Sequence, residues 1–99
     1  MTVEVVWLDA AEEDLQDTYR YISAENPLAA VRYLEDIVLA TMRLADFPET
    51  ARRYNSRYRV LSVRNHLVFY SFDPPGKEVL IAAVVDGRRD VAALMGQEE

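Results

Sequence analysis

Ninety-nine residues with a formal net charge of −6 and 51% hydrophobic residues fit a single domain over 1–99 and exclude a disordered tail. The absence of cysteine excludes disulfides, cysteine zinc sites and thiol catalysis, and a single histidine argues against a histidine metal cluster, so no metal or cofactor is expected. No run approaches the roughly 18 apolar residues of a membrane helix, and MTVEVVWLDAAEEDL lacks the basic start and apolar core of a signal peptide, so a cytoplasmic location is expected.

Thr2 to Trp7, TVEVVW, is β-branched and apolar and predicts a strand. Asp9 followed by Glu12 has the spacing of a capping box, and Ala11, Leu15, Tyr19 and Ile22 recur at helical spacing, which predicts a helix from Ala10 to about Ala24. Glu12, Glu13 and Asp14 suit the positive end of its dipole better than a metal. Asn26-Pro27 then caps a second helix, whose apolar stripe is Ala30, Val31, Leu34, Ile37, Val38, Met42 and Ala45, ending near Asp46 ahead of Phe47-Pro48. The short link makes the two helices an antiparallel hairpin.

Glu49 to Ser56 has no period and reads as a loop. Strands are expected at Arg57–Val63, Leu67–Phe72 and Val79–Val85, joined by a tight turn at Arg64-Asn65-His66 with Asn65 at positive φ, and by a longer turn at Asp73–Lys77. VLIAAVV is apolar on both faces and is placed centrally in the sheet. VAALM in the tail predicts a short helical turn. The order β-α-α-β-β-β gives an α+β fold: a helical hairpin packed on one face of a small, mainly antiparallel sheet, whose other face is left to solvent or to a partner.

Charge is unevenly placed. Residues 1–50 hold eleven acids and three bases, whereas RRYNSRYRVLSVRN, residues 52–65, holds five arginines and no acid. Arg57 and Arg59 alternate onto one strand face, Arg52 and Arg53 precede them, and Arg88 and Arg89 follow the last strand; these could converge on one sheet end. Guanidinium groups grip phosphates or carboxylates. The plainer account is that they neutralise the chain's own acids on the helices, such as Glu12, Asp17 and Glu35. A pI near 4.7 argues against direct nucleic-acid binding over a broad surface. His66 reads as an exposed turn residue rather than a proton shuttle; Tyr54 and Tyr58 lie among the arginines, and Trp7 reads as a core anchor.

Three stretches, WLDAAEEDLQDTYRYISAENPLAAVRYLEDIVLATMRLADFPE, RYRVLSVRNHLVFYSFD and VLIAAVVDGRRDVAALM, resemble in order the RelE/ParE toxin superfamily. The resemblance implies the toxin half of a bacterial toxin–antitoxin pair, assembled as a hetero-oligomer with a cognate antitoxin. RelE-like members cut mRNA in the ribosome; ParE-like members act on DNA gyrase without nuclease residues. Metal-free RNA cleavage needs a base, an acid and cations. Here the only lysine is Lys77, and no Tyr or His follows Val85, which points to the ParE-like branch and to a protein without catalytic residues of its own. The alternatives are a ribonuclease using Arg59 and Arg88 with an acid such as Tyr58 or Glu49, and a non-toxic member that only binds antitoxin and aids operon repression. On the ParE-like reading Arg52, Arg53, Arg57, Arg59, Arg88 and Arg89, with Leu94 and Met95 of the apolar tail, form the surface for antitoxin and gyrase. Asp86 stands where the family often shows His.

Overall fold

The computed structural model describes residues 2–98. Its elements are β1 (Glu4–Trp7), α1 (Asp9–Glu25), α2 (Pro27–Met42), a 3-10 turn at Arg43–Ala45, β2 (Arg52–Arg53), β3 (Arg59–Val63), β4 (His66–Asp73), β5 (Glu78–Asp86) and α3 (Val91–Met95). The sheet runs β1-β5-β4-β3-β2, with β1 parallel to β5 and every other pair antiparallel. The apolar β5 is an interior strand, as its composition requires, but β4 takes the middle position because β1 docks on the outer side of β5.

Several local expectations are corrected. Leu8, not Asp9, is the N-cap of α1, and it provides no side-chain bond; Asp9 is already helical, so there is no capping box. Asn26 does cap α2: its Oδ1 accepts from the Ala29 N–H at 3.1 Å, with Pro27 in the first turn. The positive φ in the β3–β4 turn belongs to Arg64, at 54°, and His66 is the first residue of β4 rather than a turn residue. β3 begins two residues later than expected, because Asn55 Oδ1 accepts from the N–H groups of Arg57 (2.9 Å) and Tyr58 (2.8 Å) and holds them in a side-chain-closed turn. The stretch expected as loop contains β2, whose two residues pair with Val60 and Arg59.

The buried stripe of α2 is Ala30, Tyr33, Ile37 and Thr41, continued by Leu44, rather than the stripe through Val31, Val38 and Met42, which are exposed. The helix has more apolar residues than one face can hold. Periodicity alone cannot choose the buried face when Tyr and Thr belong to it. Thr41 is tolerated there because its hydroxyl donates to the Ile37 carbonyl at 2.9 Å.

Two cores result. Tyr33, Ile37, Leu44, Val68, Tyr70, Val79 and Ile81 fill the space between hairpin and sheet. On the opposite face Tyr54, Val60, Phe69 and Val85 form a second cluster, and Val91 and Met95 of α3 pack on it. The face expected to be open is therefore covered by the chain's own tail. Asp90 Oδ1 accepts from the Ala93 N–H to start α3, Tyr54 Oη donates to the Gly96 carbonyl at 2.7 Å, and Arg52 pairs with Glu98 at 2.8 Å. Alternation along β4 sends the adjacent Phe69 and Tyr70 into different cores, and a register shift that leaves Ala82 of β5 unpaired lets both Ile81 and Val84 face the hairpin. Asp14 of α1 closes the β5 edge where β1 ends, accepting from the Val84 N–H at 3.0 Å.

Replacing Ile37, which is fully buried, by alanine is expected to cost about 2–5 kcal/mol in chemical denaturation. Val38→Ala on the exposed stripe should stay within about 1 kcal/mol. Equal losses would place the hairpin's buried face incorrectly.

Candidate functional site

The register of the sheet separates the arginines. Arg53 lies directly opposite Arg59, and Arg59 directly opposite Tyr70, so these three side chains share the hairpin-side face. Arg52, opposite Val60, lies on the tail side, where it meets Glu98. Val63 pairs with His66, and His66 with Asp86, so Arg88 lies near the far end of β3, roughly 13 Å along the strand from Arg59 at about 3.3 Å per residue. The six arginines do not converge on one end.

Near the start of β3, Arg53, Arg57 and Arg59 line a 440 Å³ pocket together with Glu49, Ser71 and Phe72. Arg59 is the most fixed of them. Its Nη1 donates to the carbonyls of Ala51 (2.8 Å) and Glu49 (3.3 Å), and its Nη2 lies 3.5 Å from the Glu49 carboxylate. The Arg57 guanidinium sits over the Tyr58 ring, 5.7 Å from its centroid. Tyr70 is fully buried, and its hydroxyl donates to the Pro48 carbonyl at 2.9 Å. Burial pushes its phenol up, outweighing the nearby Arg59. The two groups nearest Arg59 that could move a proton are thus a phenol tied to a carbonyl and a carboxylate paired with the arginine itself.

At the far end, Asp86 Oδ1 accepts from the backbone N–H and Nε of Arg88, and Oδ2 accepts from Nη2 at 2.9 Å. These bonds hold the carboxyl well below the usual carboxylate range and raise the arginine. Arg88 is therefore bound to a neighbour in its own chain. His66 is half-buried, not exposed; its ring lies 4.8 Å from that of Tyr33, and its Nδ1 is buried without a hydrogen-bond partner among the described residues. Burial lowers its pKa, with Asp86 pulling up and Arg88 down. The contact was hidden from the sequence because Tyr33 is thirty-three residues away. Arg64 pairs with Asp36 of α2.

Arg89, Leu94 and Met95 line a third region, a 310 Å³ groove with Tyr58, Asp14 and Val84 beside the outer edge of β5. Leu94 is 47% exposed and Met95 is partly buried on the tail-side core. Some of the cations neutralise the chain's own acids, as the plainer account held: Arg52, Arg59, Arg64 and Arg88 each have an acidic partner. Those partners lie mostly in the loop, tail and strand end rather than on the helices. Among the described residues, no group of three or more His, Asp or Glu could hold a metal, and no helix is long and apolar enough to cross a membrane.

A helical hairpin on a five-stranded, mostly antiparallel sheet is a RelE/ParE-like fold. The chain is similar in fold to a chain of the chromosomal ParDE toxin–antitoxin system of P. aeruginosa, with 21% identity, a TM-score of 0.74, and coverage of 86% of this chain and 96% of that one. It is also similar to a chain of the RelBE2 toxin–antitoxin complex of Mycobacterium tuberculosis (19% identity, TM-score 0.65, 87% and 99% covered). A free mutant of E. coli RelE gives 10% identity and a TM-score of 0.65, with 97% and 95% covered. No curated protein matches at the sequence level. Residues 5–91 match the family described as the ParE toxin of the type II toxin–antitoxin system, parDE. The chain belongs to the ParE toxin family.

The half-buried His66 sets a pH dependence. Its folded pKa lies below 6.5, so between the two values the unfolded chain binds more protons and stability rises with pH. This contribution is complete above 6.5 and is lost as pH falls through the folded value. Asp86 is depressed, so its contribution is present above 3.8 and is lost only at lower pH, outside that window. Denaturation midpoints are expected to fall between about pH 7.5 and 5.5, and the fall should shrink in His66→Asn. An unchanged fall in the variant would remove His66 as its source.

Proposed function

We propose that this protein is a ParE-like toxin that poisons DNA gyrase by binding rather than by chemistry, and that a cognate antitoxin neutralises it in a cytoplasmic hetero-oligomer. The family match supplies the toxin assignment. The observation that carries the non-enzymatic reading is the state of Arg59: a fixed cation whose neighbouring carboxylate, Glu49, is paired with it and whose neighbouring phenol, Tyr70, is tied to a carbonyl. General acid–base cleavage needs a proton donor and acceptor within reach of the reacting oxygens. His66, the natural candidate by type, lies at the other end of β4, paired across the sheet with Asp86.

In this reading Arg53, Arg57 and Arg59 form one anion-gripping patch, and Arg89 with Leu94 and Met95 forms a second contact that is part charged, part apolar. Such a mixture suits a protein partner, where an aliphatic anchor in a groove supplies affinity and charge sets register. Arg52 and Arg88 are already paired and serve the fold or await displacement. A second reading, a ribosome-dependent mRNA endonuclease, is favoured by one observation: the Glu49 carboxylate reaches the same pocket as Arg59 and would be its base.

Purified protein, supercoiled plasmid and gyrase should yield linear DNA or loss of supercoiling at micromolar protein, while toeprinting of translated mRNA shows no cleavage in the ribosomal A site. The reverse pattern would establish the endonuclease, and inactivity in both would leave a non-toxic antitoxin-binding member. Leu94→Asp is expected to weaken gyrase inhibition at least about tenfold, the loss of one apolar anchor, with little change in melting temperature because the side chain is exposed.

A further inference from the structure

The pocket at the start of β3 has features that a flat docking patch for carboxylates does not need. Its 440 Å³ lie within the size range of small-molecule sites, about 300–1,000 Å³. Arg53 and Arg59 stand directly opposite each other across β2 and β3, an arrangement of like charges that weakens a sheet unless an anion lies between them. Arg59 is held in place by two main-chain carbonyls, so a ligand need not order it. The anion present is Glu49, whose carboxylate is 67% exposed and only loosely bound, at 3.5 Å.

We infer that this pocket binds the phosphoryl group of a small phosphorylated molecule of nucleotide size, with Arg53, Arg57 and Arg59 as its cationic ligands. A terminal phosphate carries nearly two charges and three acceptor oxygens at neutral pH. Three guanidinium groups match it better than they match the two oxygens and single charge of the carboxylate already there. Glu49 then acts as an internal stand-in that the ligand displaces. A free small molecule is favoured over nucleic acid because a polymer needs a track of cations for successive phosphates. The chain interrupts any such track: Arg52 turns to the tail-side face and is bound by Glu98, and Arg88 is bound by Asp86 at the far end of the sheet. The inference concerns what occupies one of the proposed docking patches, but binding to the pure chain tests it whatever the toxin's target.

Calorimetric and NMR titrations of the full chain with adenosine diphosphate, inorganic phosphate and a short DNA duplex decide it. The diphosphate should bind, inorganic phosphate should compete with it, and resonances of Arg53, Arg57 and Arg59 should shift. Arg53→Gln and Arg57→Gln should each weaken binding about tenfold, as expected for the loss of one charge-assisted contact, with unchanged melting curves. Glu49→Gln should strengthen binding about threefold by removing the internal competitor, a gain that no loss of structure can imitate. Absence of binding up to about 10 mM nucleotide overturns the inference, as does binding indifferent to Arg57→Gln and Glu49→Gln. Tighter binding of the duplex than of the nucleotide through the same arginines overturns the small-molecule assignment in favour of backbone phosphate.

Discussion

A sheet buried on both faces constrains everything else in this molecule. Phe69 and Tyr70 are adjacent in sequence and both fully buried, one in each core. Neither could be accommodated if one face of β4 met water, since each aromatic side chain contributes a large apolar area. The helical hairpin covers one side. The segment after Asp86 covers the other with one short helix, two apolar side chains and a few polar ties to Tyr54, Asn55 and Arg52. Tyr54 joins both functions: its ring meets Phe69 edge-on at 5.0 Å and its hydroxyl holds Gly96.

The same constraint decides where the arginines go. In a sheet with two dry faces, a cation is tolerated only at strand ends, at the short edge strand, or where a carbonyl or carboxylate meets it. Arg59 follows the last rule, with its side chain largely buried under the loop it bonds to. Arg53 and Arg57 remain at the edge, and Arg88 and Arg89 lie beyond the end of β5. What looks in sequence like one basic segment becomes separate sites because β2 turns Arg52 and Arg53 to opposite faces.

Element types and their order were legible because their signals are local: alternating β-branched runs, Asn26-Pro27 at a helix start, and a turn rich in proline and glycine. The details that failed depend on partners distant in sequence. No pattern in α2 tells that Tyr33 rather than Val31 faces inward; that choice is made by contacts such as the His66 ring. The covering of the second face was missed because VAALM carries too few apolar residues to announce a packed element, and it works only through Phe69, Val60 and Val85. Asp14 read as a dipole residue, yet its specific task is to accept the Val84 N–H at an unpaired stretch of edge. For the site, residue types were legible and grouping was not, since grouping follows from a two-residue strand too short to leave a sequence signal.

Asp86 shows how one residue divides recognition from reactivity. A histidine there would stand beside Arg88 as a cation or a neutral base, leaving the guanidinium unpaired. A carboxylate instead forks onto Arg88 with side-chain and backbone bonds and faces His66 across the sheet. Arg88 is thereby neutralised at the far end of the sheet, while Arg53 and Arg57, which have no acidic partner among the described residues, stand at the opposite end. An acidic protein can then present a local positive surface, because screening over about 10 Å at moderate salt weakens the pull of its more distant acids.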